Sequence, residues 1–250
     1  MRLARRLARR LALLFIMAVA VPGFAADKKP AAPVGKMVDS GSFGVFVSGK
    51  RVATETFQIE QMPDSSVVKS EFKTVGDASH AVQTAELVIA ANGDLRRYTW
   101  NESSPGKASS VVEPQDQFLI QHINTGPSDK PVDQPYILPP STVILDDYFF
   151  SQREVLAWRY LAGNCRPDPG TGGCKLPRAQ FGALVPRQRT SMLVHIEYVG
   201  RETVNVHGQK RELSRFNLQS DGLDWGLWLD EEYKLIRVYI AADAIEVVRD

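Results

Sequence analysis

Short alternations of apolar and polar residues, separated by turn residues, run through most of this chain. In one clear pair, residues 86–91 and 95–100 are joined by Asn92-Gly93, which favours the two positive φ angles of a type I′ turn. About fourteen such segments follow one another, with turns roughly every eight to twelve residues. Because period-two alternation turns one face of each strand towards a core, the pattern is typical of a large β-sheet.

One longer segment, 141–161, lies between two series of strand patterns and has the spacing of a helix. Phe149, Leu156 and Tyr160 fall on one apolar face of that helix. So much aromatic surface has to be buried, and only the surrounding strands can cover it. The sequence therefore predicts a mainly β fold, with one large curved antiparallel sheet, a half-barrel or open barrel, packed around a single central helix.

The start of this helix has two candidate positions. Asp146 can accept hydrogen bonds from the free amides of a first turn, as an N-cap residue does. Ser151 with Glu154 offers a later start, in the form of a capping box. We place the helix at about 146–161.

The N-terminus has the pattern of a secretory signal peptide. Five arginines precede an apolar run of eleven residues, 11–21, and small residues follow it. A transmembrane helix needs about 20 apolar residues, so this run is too short to be an anchor. We predict a signal peptide at 1–25, a flexible leader at 26–40 and a single β-rich domain at 41–250. The mature protein is then periplasmic and soluble.

The charge balance argues against nucleic acid as a partner. Residues 1–25 contain five of the 30 basic residues and none of the 29 acidic ones, so the remainder has a net charge of −4. A protein that binds phosphates needs a basic surface to neutralise them. No later stretch is long and apolar enough for a transmembrane helix, so an integral membrane protein is not expected either.

Cys165 and Cys174 are the only two cysteines, and they flank a loop rich in proline and glycine. In an oxidising compartment such a pair is expected to form a disulfide. A redox-active pair is the alternative, but catalytic pairs usually have C-x-x-C spacing at the start of a helix. We predict a structural disulfide that closes this loop.

Motifs for catalysis and for metal binding are absent from the sequence. The four histidines are far apart and form no zinc-binding pattern. Asp146 and Asp147 are explained by the helix start, and no G-x-S-x-G elbow occurs. We therefore expect a non-enzymatic protein with no metal and no cofactor.

Aromatic and aliphatic residues share one face of a strand near the C-terminus, where Trp225 and Leu227 alternate with outward positions. Large aromatics usually pack as core, and that is the favoured interpretation here. The alternative is that this face and the helix enclose a cavity. The candidate lining residues of such an apolar cavity are Phe149, Leu156, Tyr160, Trp225 and Leu227.

Two hairpins carry a resemblance to a known family. The segment LDWGLWLDEEYKLIRVYI (223–240) resembles the hairpin repeated in periplasmic half-barrel proteins of the lipoprotein-localisation-factor type and in related uncharacterised envelope proteins. The segment FGVFVSGKRVATETFQI (43–59) is similar to the first hairpin of those uncharacterised proteins. The resemblance implies a curved sheet with a helix in its concave face and, for the carriers, acyl chains held in that concavity.

Three functions remain open at this point. The favoured one is a periplasmic protein that binds or carries a hydrophobic ligand, with a lipid or a lipoprotein as its partner. The second is an envelope assembly protein that contacts another envelope protein and has no small ligand. The third is an enzyme whose catalytic groups form no sequence motif.

Overall fold

The computed structural model describes residues 35–76, 80–126, 128–167 and 174–250. The predicted signal peptide, 1–25, lies outside these residues, as does most of the predicted leader. Within the described ranges the secondary structure consists of seventeen strands, one α-helix and two short 3-10 turns. The strands and the helix are β1 Lys36–Val47, β2 Lys50–Gln61, β3 Ser65–Thr74, β4 Val82–Ala90, β5 Leu95–Ser104, β6 Ser109–Gln115, β7 Phe118–Asn124, β8 Val132–Tyr136, β9 Val143–Ile144, α1 Ser151–Asn164, β10 Arg166–Pro167, β11 Cys174–Lys175, β12 Ala179–Val185, β13 Thr190–Val206, β14 Gln209–Ser220, β15 Leu223–Leu229, β16 Leu235–Ile240 and β17 Ile245–Arg249.

Fifteen of these strands form one sheet in the order β8-β7-β6-β5-β4-β3-β2-β1-β17-β16-β15-β14-β13-β12-β9. Within β1–β8 and within β12–β17, consecutive strands are antiparallel neighbours, and β1 and β17 pair at the centre of the sheet. The short strand β9 joins β12 in parallel at one edge. The edges β8 and β9 do not pair with each other, so the sheet stays open, as the predicted open barrel requires.

The helix α1 lies inside this sheet and is covered from both halves of the chain. Leu156, Ala157 and Tyr160 are at most 2% exposed. They belong to one core with residues from both arms of the sheet, among them Phe57, Tyr98, Phe216 and Leu227. The predicted mainly β fold, with one large sheet around a single helix, is therefore confirmed.

Two boundaries differ from the predicted ones. The helix runs from Ser151 to Asn164, and Asp146 lies in the loop before it. The predicted capping box of Ser151 with Glu154 is wrong, because Phe150 is the N-cap residue and no side chain of the helix caps its start. The first strand begins at Lys36, within the segment predicted as leader. Its opening residues form a strand because they pair with the end of β2, from Lys36 with Gln61 to Ser40 with Gln58.

The conformation of the β4–β5 turn also differs from the predicted type I′ turn. At the β4–β5 hairpin only Gly93 has positive φ, and its amide donates to the carbonyl of Ala90. The loop is therefore not the type I′ turn that Asn92-Gly93 predicts. Both central residues have positive φ in the tight turns at Ser48-Gly49 and His207-Gly208 instead.

The ends of the cysteine loop lie side by side. Strands β10 and β11 pair, with Arg166 opposite Lys175 and Pro167 opposite Cys174. The side chain of Cys174 lies outside the described part of the chain, so the Cys165–Cys174 disulfide stays a prediction. No helix in the described ranges is both long enough and apolar enough to cross a membrane.

Candidate functional site

A cavity of about 540 Å³ lies at one end of the sheet, where several strands finish. Val47, Thr74, Val185, Ser220 and Ile240, each the last residue of its strand, contribute to its wall. Further apolar residues line it from both arms of the sheet: Val45, Val52, Ala53, Phe72, Leu145, Met192, Val194, Leu218 and Ile245. The same surface is therefore built from the two ends of the chain, which meet where β1 pairs with β17.

The cavity is buried on the side of the helix and exposed on the side of the turns. Phe150 and Arg153, at the start of α1, line its inner side and are 4% and 1% exposed. Asp243, in the turn after β16, also lines the cavity and is exposed. A ligand would therefore enter between the turns and reach the first turn of the helix.

Arg153 is the buried cation of this site. Its Nη1 donates to the backbone carbonyl oxygens of Asp146 and of Phe149, the latter at 2.9 Å. Its guanidinium lies 4.5 Å from the ring centroid of Trp225 and 5.5 Å from that of Phe150. Burial lowers the pKa of Arg153 to about 10, and the negative charges of Asp147 and Asp146 oppose that effect. The side chain is therefore still a cation at neutral pH.

The helix start is capped by a residue from a distant strand. Glu55, on the inward face of β2, accepts from the amide of Phe150 at 2.6 Å and from the hydroxyl of Ser151 at 2.7 Å. Ser151 also shares a hydrogen bond with the hydroxyl of Ser70 at 2.9 Å. Burial raises the pKa of Glu55 to about 7, although these hydrogen bonds act in the other direction. A carboxylate here satisfies the free amides that a local N-cap residue would satisfy.

The loop before the helix is held by a second buried carboxyl, that of Asp146. Its Oδ2 accepts from the hydroxyl of Tyr98 at 2.5 Å, and its backbone amide donates to Gln152 Oε1 at 2.6 Å. Burial raises the pKa of Asp146 to about 6. Asp146 therefore orients the loop and does not cap the helix.

A third buried acid, Glu154, faces the strands at the centre of the sheet. Its Oε2 lies 3.9 Å from Nη1 of Arg249, and the carboxyl group of Asp39 is a further close neighbour. Arg249 itself makes a two-point contact with Asp39, at 2.7 and 2.8 Å. Burial and the neighbouring Asp39 raise the pKa of Glu154 to about 10. This cluster joins β1, β17 and α1, and it lies apart from the cavity wall.

The structure separates the residues that the sequence singled out as a possible lining. Trp225 lines the cavity and is half-buried. Phe149, Leu156, Tyr160 and Leu227 are at most 2% exposed and pack in the core. Leu156 also borders a small void of about 20 Å³ beside the helix. Of the five residues predicted as a possible lining, Trp225 is therefore part of the cavity wall, and the other four are core residues.

The most polar parts of the site were not found from the sequence. Glu55 alternates with Ala53 and Phe57 on an inward strand face, so its position was a signal of burial. Arg153 is one of several charged residues on the helix, and nothing local marks it as 1% exposed. In the described part of the chain, no group of three or more His, Cys, Asp and Glu residues could hold a metal ion.

No family model matches this sequence, and a search of curated proteins finds no match. The resemblance to the lipoprotein-localisation-factor type therefore stays a prediction. A search of solved structures finds a similarity to the crystal structure of a beta-barrel-like protein of the domain of unknown function DUF1849 from Brucella abortus. The TM-score is 0.49 and the sequence identity 8%, over 84% of this chain and 94% of that chain.

Proposed function

We propose that this chain is an exported, non-enzymatic periplasmic protein that binds the hydrocarbon chain of a lipid in the cavity at the open end of the sheet. The observation that carries the proposal is the cavity itself. Its volume of about 540 Å³ falls in the range of about 300–1,000 Å³ that is usual for ligand pockets. Other clefts of the described surface have volumes of about 720, 600 and 560 Å³, and this one differs from them in its mainly apolar wall.

The lining supports an apolar ligand. Most of its residues are aliphatic or aromatic. The charged residues that reach it are Asp147, Arg153 and Asp243, and its neutral polar residues include Gln83 and Gln188. Such a wall gains about 0.8 kcal/mol for each methylene group that it removes from water. An enzyme's cleft would instead bring several titratable groups together around a reacting atom. Export is supported by the arginine-rich N-terminus and its short apolar run.

A series of straight-chain alcohols tests the proposal. Displacement of the fluorescent probe diphenylhexatriene from the purified mature protein gives the affinity of each alcohol. We expect the affinity to rise about fourfold for each added methylene, until the chain fills the cavity, and then to level off. Alcohols that bind with no dependence on chain length, or that do not displace the probe, would refute a cavity for acyl chains.

A pair of variants places the binding in this cavity. Met192 lines the cavity, whereas the adjacent Leu193 is 58% exposed on the other face of the strand. Met192→Trp should reduce probe binding at least about tenfold, because the larger side chain occupies part of the cavity. Leu193→Trp should leave probe binding unchanged. Mass spectrometry after organic extraction of the wild-type protein should find bound lipid. Equal binding by the two variants, with no lipid extracted, would favour an assembly protein without a small ligand.

A further inference from the structure

Two N–H groups of cavity-lining residues are buried and lack an acceptor. They are Arg153 Nε and Trp225 Nε1, and neither has a hydrogen-bond partner among the residues that the structure describes. Leaving a buried donor without an acceptor costs about 1–3 kcal/mol, and more for a charged group. Two such donors on neighbouring side chains, with the guanidinium stacked 4.5 Å from the indole ring, form a site for an acceptor that the chain itself does not supply.

Arg153 has carboxylates nearby but no described hydrogen bond to any of them. The negative charges of Asp147 and Asp146 act on it through space, and Asp147 also lines the cavity. The described hydrogen bonds of Arg153 go to backbone carbonyls, which are neutral. The carboxylates around it have donors of their own: Tyr98 for Asp146, Gln188 for Asp147, and the helix start for Glu55. A buried cation is expensive unless a counter-charge with hydrogen bonds compensates for it. An anion from the ligand would compensate for it at the inner side of the cavity.

The shape of the site favours a flat acceptor. The carbon atom of the guanidinium lies 4.5 Å from the ring centroid of Trp225 and 5.5 Å from that of Phe150, so aromatic rings occupy part of the space beside the group. Its Nη1 is used by backbone carbonyls, and the edge that carries the unpaired Nε is where a partner can bind. Arginine binds a carboxylate edge to edge, with the two planar groups aligned. A tetrahedral phosphate carries more bulk out of that plane and is the less suitable head group here.

We propose that the ligand is a long-chain fatty acid, bound with its carboxylate at Arg153 and Trp225 and its hydrocarbon chain towards the turns. This inference rests on the proposed binding of acyl chains, and it adds the chemistry of the head group. Trp225, which the sequence already marked, then has two roles: its ring covers the guanidinium and its N–H donates to the carboxylate.

The experiment compares palmitate with its methyl ester, which has the same chain and no charge. Isothermal titration calorimetry on the mature protein should show palmitate binding at least about tenfold more tightly, as expected for a charge-assisted hydrogen bond. Trp225→Phe keeps an aromatic ring and removes the N–H. It should weaken palmitate binding by about three- to tenfold and leave the ester within about twofold of wild type.

A matched control comes from the outer face of the sheet. Trp228 belongs to a separate apolar cluster, where its Nε1 donates to Glu202 Oε2 at 3.1 Å. Trp228→Phe removes the same group outside the cavity and should not change the preference for palmitate. Arg153→Lys should lower that preference, because lysine keeps the charge and loses the planar edge. Trp225→Phe carries the test on its own if the arginine variant does not fold.

The outcomes separate the two proposals. Equal affinities for palmitate and its ester would overturn the carboxylate site while leaving a chain-binding cavity in place. So would an unchanged preference in Trp225→Phe, or tighter binding of a lysophospholipid than of palmitate. Failure of the alcohols, the ester and palmitate alike to bind would overturn the chain-binding function itself.

Discussion

Glu55 should make this protein less stable as the pH rises towards neutrality. Burial raises the pKa of its carboxyl from 4.5 to about 7 in the folded protein. Below 4.5 the group is protonated in both states, and its contribution to stability is fully present. As the pH rises through that interval the unfolded chain releases the proton and the folded chain retains it, so unfolding becomes more favourable. At about 1.4 kcal/mol per pH unit, the loss amounts to about 3 kcal/mol once the pH exceeds about 7.

The substitution Glu55→Gln isolates this effect. Glutamine has nearly the same shape, can still accept a hydrogen bond from the amide of Phe150, and does not titrate. The free energy of unfolding of the variant, relative to wild type, should therefore increase by about 2–3 kcal/mol between about pH 5 and about pH 8. Urea denaturation at a series of pH values, followed by far-ultraviolet circular dichroism, measures this difference.

Two further variants complete the test. Glu60→Gln, on the same strand, is the matched control, because it makes the same chemical substitution at a half-buried side chain that does not contact the helix start. Glu55→Ala removes the acceptor for the Phe150 amide and for the Ser151 hydroxyl, and it should cost about 3–5 kcal/mol at about pH 5. Because alanine does not titrate either, this cost should become smaller as the pH rises, in parallel with the change seen for Glu55→Gln. Parallel pH profiles for wild type and Glu55→Gln would show that Glu55 titrates as it does in an unfolded chain, and the reasoning from burial would be wrong.

Three other perturbations test the architecture. Leu156→Ala should lower the free energy of unfolding by about 2–5 kcal/mol in urea, and Leu193→Ala on the outer face by less than about 0.5 kcal/mol; equal effects would contradict a buried helix. Arg249→Met removes the two-point partner of buried Asp39 and leaves only Lys234, at 3.8 Å, as a cation beside it, so differential scanning calorimetry should show a loss of about 3 kcal/mol; an unchanged transition would contradict this. Reduction of the predicted Cys165–Cys174 disulfide should cost about 2–3 kcal/mol and leave the β-sheet dichroism in place, whereas complete unfolding would give the bond a larger role.

Local residues were sufficient to predict that these segments form strands and a helix. They were not sufficient to predict the conformation of the turns or the residue that caps the helix. The hairpin at Asn92-Gly93 is where the dipeptide predicts one, yet only Gly93 adopts positive φ there. A longer loop places one residue in that region and leaves the other in an ordinary turn conformation. The helix start shows the same limit. Asp146 and the capping box of Ser151 with Glu154 were both suitable in sequence, but neither caps the helix, and Glu55 of β2 accepts from its first amides instead.

The sequence by itself determined the fold class of this protein, since period-two alternation, turn residues and one helical segment are local properties that tertiary contacts did not reverse. Only the tertiary structure decided which polar groups lie inside. Glu55 caps a helix 95 residues away along the chain, and Arg153 reaches a cavity wall built from both ends of the chain. The cavity itself is a space between side chains, and its volume depends on how the two arms of the sheet curve around the helix. Distances across the interior, and with them the candidate site, therefore had to come from the folded chain.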